Sequence, residues 1–130
     1  MPTTIHATIP TTNLTLVSIN NLTKKSPWYR RTHAAAWRAA GTTAATTANL
    51  PRHATNPNAH ATIHATIYKP RAGRYDPGNL YPCLKWAVDG LIDYGLLPDD
   101  DWTHLDGPHL HHGGKDTTNP RIELEITLDA

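Results

Sequence analysis

Arg74–Asp101, RYDPGNLYPCLKWAVDGLIDYGLLPDDD, holds an acidic turn, one amphipathic helix and three consecutive aspartates. In the turn Asp76-Pro77-Gly78-Asn79, Asp76 offers a carboxylate and Asn79 a side chain suited to capping a first helical turn. The helix expected to follow buries Leu84, Ala87, Val88, Leu91 and Ile92, which recur at three-and-four spacing. Lys85, Asp89 and Asp93 fall on a second face at i, i+4 and i+8. Gly95 is placed to end the helix as a left-handed cap, and Pro98 prevents its resumption. Two acidic loops thus bracket one helix. Carboxylates gathered at one place repel, so Asp76 meeting Asp99, Asp100 or Asp101 calls for a positive charge between them, and the hard cation that carboxylates suit best is Mg²⁺.

Charge is divided unevenly along the 130 residues. Before Asp76 there is no acid, but there are nine bases: Lys24, Lys25, Arg30, Arg31, Arg38, Arg52, Lys69, Arg71 and Arg74. After Arg74 come all 11 acids and only Lys85, Lys115 and Arg121. Such a division suits a polyanion bound by the first half and a metal by the second. The competing explanation is a composition rich in Ala, Thr, His and Arg that depletes acids without functional cause. A mass of 14.3 kDa suits one domain over residues 1–130 with one core. With no Phe and an Ala- and Thr-rich interior, that core is thin, and dimerisation would help to bury the remainder. The lone Cys83 excludes an intramolecular disulfide, and no apolar run has the length of a signal or membrane segment, so a soluble cytoplasmic protein is expected.

Taken in order, Thr4–Thr8 alternates around Ile5, Ala7 and Ile9 as an edge strand stopped by Pro10. Thr11–Lys25 reads as an irregular connection with a turn at Asn20-Asn21. Ser26-Pro27 starts a helix predicted over Trp28 to about Ala40, with Trp28, Thr32, Ala35 or Ala36, and Ala39 on one stripe and Arg30, Arg31 and Arg38 exposed. Gly41 and the Thr-rich run weaken it, and Asn49–Asn58 is a loop. His-Ala-Thr-Ile occurs at His6, His60 and His64, too short to define a repeat. It does pattern a second strand, with Ile63, Ala65 and Ile67 on one face, ending at Lys69-Pro70. Trp102–Leu110 reads as extended but broken at Gly107-Pro108, and His111–Pro120 as turn. Arg121–Leu128 alternates with Ile122, Leu124, Ile126 and Leu128 inward. The expected class is α/β or α+β, a small mixed sheet with two covering helices in the order β-α-β-α-β-β.

These residues resemble the RusA-like Holliday junction resolvases. The likeness is carried by the acidic turn with Asn79, the Lys85-x-x-x-Asp89 pair, the Gly95-x-x-x-Asp99-Asp100 step and the final RIELEI strand. It implies a homodimeric, magnesium-dependent endonuclease that cuts branched DNA, the four-way junction above all, in a bacterial or phage-infected cell. By the same likeness Asp76 takes the place of the first aspartate of an Asp-x-Asp-Asn motif, Lys85 that of an essential helix lysine, and Asp100 that of a later metal-site aspartate beside Asp99. Two positions depart from the pattern. Gly78 stands where the motif has its second aspartate, and Asn79 lies three residues further from the lysine. The longer Asp-Pro-x-Asn-Leu-Tyr-Pro turn looks like a variant branch, in which Asp99 or Asp101 supplies the missing carboxylate or fewer ions are held.

The catalytic candidates are therefore Asp76, Lys85 and Asp100, and the metal candidates Asp76, Asp99, Asp100 and Asp101. Arg30, Arg31, Lys69, Arg71 and Arg74 are the candidate phosphate contacts. Each has a simpler alternative: Lys85 an i, i+4 salt bridge with Asp89, the aspartates solvated turns, the arginines a solvated helix face. His109, His111 and His112 in HLHHGG raise zinc, but structural zinc sites usually recruit Cys, and Cys83 lies within the helix. A second class of function also stands open, a catalytically weak or inactive DNA-binding protein that keeps the fold after losing a metal ligand at Gly78. Because a four-way junction has two-fold symmetry, light scattering is expected to give a dimer of the 14.3 kDa chain. A monomer at micromolar concentration, with and without DNA, would contradict this.

Overall fold

The computed structural model describes residues 2–130. Four strands form one mixed sheet in the order β1-β4-β2-β3: β1 (Thr3–Pro10), β2 (His60–Lys69), β3 (Leu105–Lys115) and β4 (Arg121–Asp129). β4 runs antiparallel to both β1 and β2, and β3 runs parallel to β2. The helices are α1 (Ile19–Lys24), α2 (Pro27–Ala48) and α3 (Tyr81–Tyr94), so the class is α+β. Two-residue alternation decides which sheet face is covered. Ala7 and Ile9, Ile63, Ala65 and Ile67, and Ile122, Leu124 and Ile126 are buried and join Trp37, Leu84, Val88 and Leu91 in one core. The opposite face is polar, with His6 and His64 both paired across to Glu125, and Thr8 and Thr66 to Glu123.

α2 and α3 meet backbone to backbone. A Cβ on Gly41 would stand 2.0 Å from the Ala87 carbonyl oxygen, and one on Gly90 would stand 2.0 Å from that of Arg38. Thr42 Oγ1 donates to the Gly90 carbonyl at 2.9 Å across the same contact. Here Gly41 does not end the helix, as its propensity suggests; it lets α2 continue to Ala48, because packing against α3 outweighs the roughly 1 kcal/mol that glycine costs a helix. The buried stripe of α2 is Trp37, Gly41, Ala44 and Ala45, and Trp28 lies outside it, 68% exposed. Asn49, left-handed at φ 51°, closes the helix before the loop expected there.

Three further elements differ from expectation. Within Thr11–Lys25, Ser18 accepts from the Asn21 amide and starts α1, a cap hidden among other Ser, Thr and Asn residues. Trp37 Nε1 donates to the Thr15 carbonyl at 2.8 Å, and the Val17 amide donates to Cys83 Sγ at 2.9 Å, so tertiary bonds order this connection. The turn before α3 is capped by Asp76, whose Oδ1 accepts from the Gly78 amide at 2.9 Å; Asn79 lies inside the 3₁₀ turn Pro77–Leu80. β3 passes through Gly107-Pro108 and includes His111–Lys115, because the ladder with β2 absorbs the irregularity as register shifts. Gly95 ends α3 at φ 103° with its amide on Ile92 and Leu91, as the sequence predicts.

Gly90→Ala and Gly41→Ala are expected to cost about 1–3 kcal/mol or more in denaturant unfolding, since backbone must move. Gly73→Ala, where an added Cβ meets nothing within 4 Å, is expected to stay within about 0.5 kcal/mol of the parent. Equal effects at the three positions would contradict the close helix contact.

Candidate active site

Lys85 projects from the second turn of α3, and its ammonium lies between two carboxylates. Nζ donates to Asp89 Oδ1 at 2.8 Å, one turn on, and to Asp100 Oδ2. The second contact exists because Gly95 reverses the chain and the run Gly95–Asp100 returns alongside the helix it has just left. The positive charge that the clustered acids require is thus supplied in part by the protein. Lys85 and Asp100 are half-buried, with side-chain exposures of 37% and 29%. The hydrogen bond from Lys85 holds the Asp100 carboxyl below its ordinary value of 3.8, against the opposing effect of burial. Partial burial pulls Lys85 down, yet its hydrogen bonds to Asp100 and Asp89 outweigh this and leave it raised.

Asp89, Asp99 and Asp100 line a shallow hollow of about 230 Å³ with Ile92 and Arg38. Arg38 comes from α2 and donates through Nη2 to Asp93 Oδ1 at 2.8 Å, in an ion pair that raises the guanidinium and lowers the carboxyl. Its place here is not readable from local spacing, since 55 residues separate it from Asp93. Asp99 Oδ1 accepts from the Asp100 amide at 2.7 Å and folds the acidic step tightly.

Asp76 and Asp101 do not line this hollow. Asp76 is engaged as the cap of the 3₁₀ turn, and Asp101 accepts from the amide and hydroxyl of Thr103, which hold its carboxyl low. Among the described residues no three His, Cys, Asp or Glu side chains form a ready-made metal cage. The donors at the hollow are nevertheless hard carboxylate oxygens, and Mg²⁺ is commonly held by one or two such groups while waters and substrate phosphates complete its shell. Asp99 and Asp100 fit that limited role. For zinc the donors are less apt: His64 Nδ1 and His111 Nε2 bond each other at 2.8 Å, and His109 Nε2 bonds Asp106 at 2.9 Å. Burial pushes the Cys83 thiol up to about 11.

Arg30, Arg31, Arg71 and Arg74 are exposed, and none of them, nor Lys69, forms a salt bridge among the described residues. Lys69 stands 4.2 Å from the centre of the Tyr75 ring, whose hydroxyl bonds His112 Nδ1 at 2.8 Å. Among the described residues no helix is long and apolar enough to cross a membrane. No protein-family model matches the chain, and no curated protein matches it.

The depressed Asp100 carboxyl sets a pH dependence. Its pairing with Lys85 contributes stability that is fully present above the unfolded carboxyl value near 3.8 and is lost as pH falls through the lower folded value. Lys85→Met keeps the aliphatic stem and removes the charge. Urea melts are expected to show it less stable than the parent at pH 7, with the gap closing as Asp100 protonates in both. A gap unchanged from pH 7 to pH 2 would show that Lys85 acts through packing of its stem alone.

Proposed function

We propose that this chain is a magnesium-dependent, structure-selective endodeoxyribonuclease of the RusA-like class, acting on Holliday junctions or other branched DNA. The observation that carries the reading is the contact of Lys85 with Asp100, whose carboxylate lines a solvent-open hollow together with Asp99. A lysine on the helix and an Asp-Asp step after it are the residues that the likeness to RusA-like resolvases marks, and their junction is open enough to meet a DNA backbone. Exposed bases without carboxylate partners support a polyanionic substrate.

Asp99 and Asp100 would hold the metal. Bound there, Mg²⁺ supplies a polarised water and shields charge on the scissile phosphate. The Lys85 ammonium, already at Asp100, would stabilise negative charge growing on the phosphate oxygens. Asp89, one turn on, holds Lys85 and orients it. Arg38 neutralises Asp93 at the rim and lessens the repulsion an approaching phosphate meets. Arg30, Arg31, Lys69, Arg71 and Arg74 contribute phosphate contacts, and two copies of the chain match the two-fold symmetry of a four-way junction.

A second reading, a weak or inactive DNA-binding protein, is favoured by Gly78, which brings no ligand, and by the use of Asp76 as a cap. The two readings separate on a labelled synthetic four-way junction. Asp100→Asn and Lys85→Ala are expected to lower Mg²⁺-dependent cleavage by at least about 100-fold, the scale of losing one preorganised electrostatic group. Junction binding by Asp100→Asn stays equal or tightens, because one negative charge is gone. Asp76→Asn tests whether that residue also serves the metal, and loss of cleavage without loss of folding would assign it there. Wild-type cutting rates in both Asp76→Asn and Asp100→Asn would reduce the acidic loops to solvated turns.

A further inference from the structure

The link between α1 and α2, Lys24–Arg31, reads KKSPWYRR. Lys24 ends α1, Ser26 caps α2 by accepting from the Tyr29 amide at 3.3 Å, and Pro27 opens the helix. Consecutive helical positions point apart, so Tyr29 and Trp28 have opposite fates. Tyr29 packs against the core, with its ring edge-on to His33 at 4.4 Å between centroids. Trp28 is left 68% exposed, although it is the largest apolar side chain in the segment and Trp37, nine residues on, is fully buried. Flanking it in the chain, Lys24, Lys25 and Arg31 are all exposed, and none forms a salt bridge among the described residues; Arg31, at i+3, shares its helix face. A flat indole in water, flanked by three cations without carboxylate partners, combines a stacking surface with phosphate-binding charge.

We infer that Trp28, with Lys24, Lys25 and Arg31, forms a binding platform for an unpaired stretch of single-stranded DNA. Base pairs inside a duplex are stacked on each other and offer no face to an indole, whereas an unpaired base does, whatever its sequence. The cations hold the backbone on either side through its phosphates. A lipid surface is the less fitting partner, because a membrane-bound helix presents a continuous apolar stripe, and past Trp28 the exposed positions of α2 are chiefly Arg, Thr and Ala. The inference shares with the proposed function the premise that DNA is the ligand. It does not depend on cleavage or on the acidic hollow.

The test is fluorescence anisotropy of the full chain with labelled dT20 in EDTA, where no cutting takes place. Trp28→Ala is expected to weaken binding by about five- to a hundredfold, the range for loss of one stacked base, while Trp28→Phe keeps most of the affinity. Replacing Lys24, Lys25 and Arg31 together by Ala lowers the slope of log affinity against log salt by about 2. Circular dichroism of Trp28→Ala stays that of the parent, since the side chain lies largely in water. Trp28→Ala binding dT20 within about twofold of the parent overturns the inference. So does a parent chain that ignores dT20 at low salt, with or without binding to phosphatidylserine vesicles. A chain that binds dT20 through Trp28 but never cuts a junction would uphold the platform and refute the nuclease.

Discussion

The close approach of α2 and α3 is the constraint on which the site depends. Gly41 and Gly90 let each backbone rest on the other with no Cβ between them. With the helices that near, Trp37 reaches through to the Thr15 carbonyl and fastens the segment before α1. Arg38, the next residue, is carried to the outer rim of the same contact, where it meets Asp93. One wall of the acidic hollow therefore comes from α2 and the other from α3 and its returning loop. Separating the helices by the width of a methyl group would shift one wall against the other and move Arg38 relative to Asp89, Asp99 and Asp100.

Charge is sorted by the same geometry. Among the described residues the Lys and Arg side chains that find carboxylates are Arg38, Lys85 and Arg121, all held to acids of the second half of the chain. The remaining bases of the first half have no carboxylate partners, and of these Arg52 is held by the Tyr94 carbonyl and ring. Lys85 balances both Asp89 and Asp100. The half-buried setting strengthens these attractions relative to open water, which is why a lysine there counts for more than one on a solvated helix face.

Much of this was legible in the sequence where local chemistry and tertiary packing agree. The period of α3, the alternation of β2 and β4, the Ser26-Pro27 start and the Gly95 stop all follow from side chains acting on their own neighbours. Elements were missed where distant contacts decide. α2 runs through Gly41 because Ala87 lies opposite, and β3 includes His111–Lys115 because β2 offers it a ladder. Around Lys85 the same division holds. Its contact with Asp89 was readable from i, i+4 spacing, whereas its contact with Asp100 depends on the returning loop. Asp76 and Asp101 accept hydrogen bonds within local turns, and Arg38 was hidden because its partner is 55 residues away.

The central claim is that the Lys85–Asp100 pair, with the hollow that Asp100 lines, serves phosphodiester cleavage in branched DNA. Its most direct test is incubation of the unaltered chain with an end-labelled four-way junction, in Mg²⁺ and in EDTA, alongside linear duplexes of the same sequence. The account predicts paired nicks on opposing strands of the junction in Mg²⁺, none in EDTA, and intact linear duplexes. A junction that is bound yet stays uncut in Mg²⁺ would contradict it and leave a DNA-binding protein in its place.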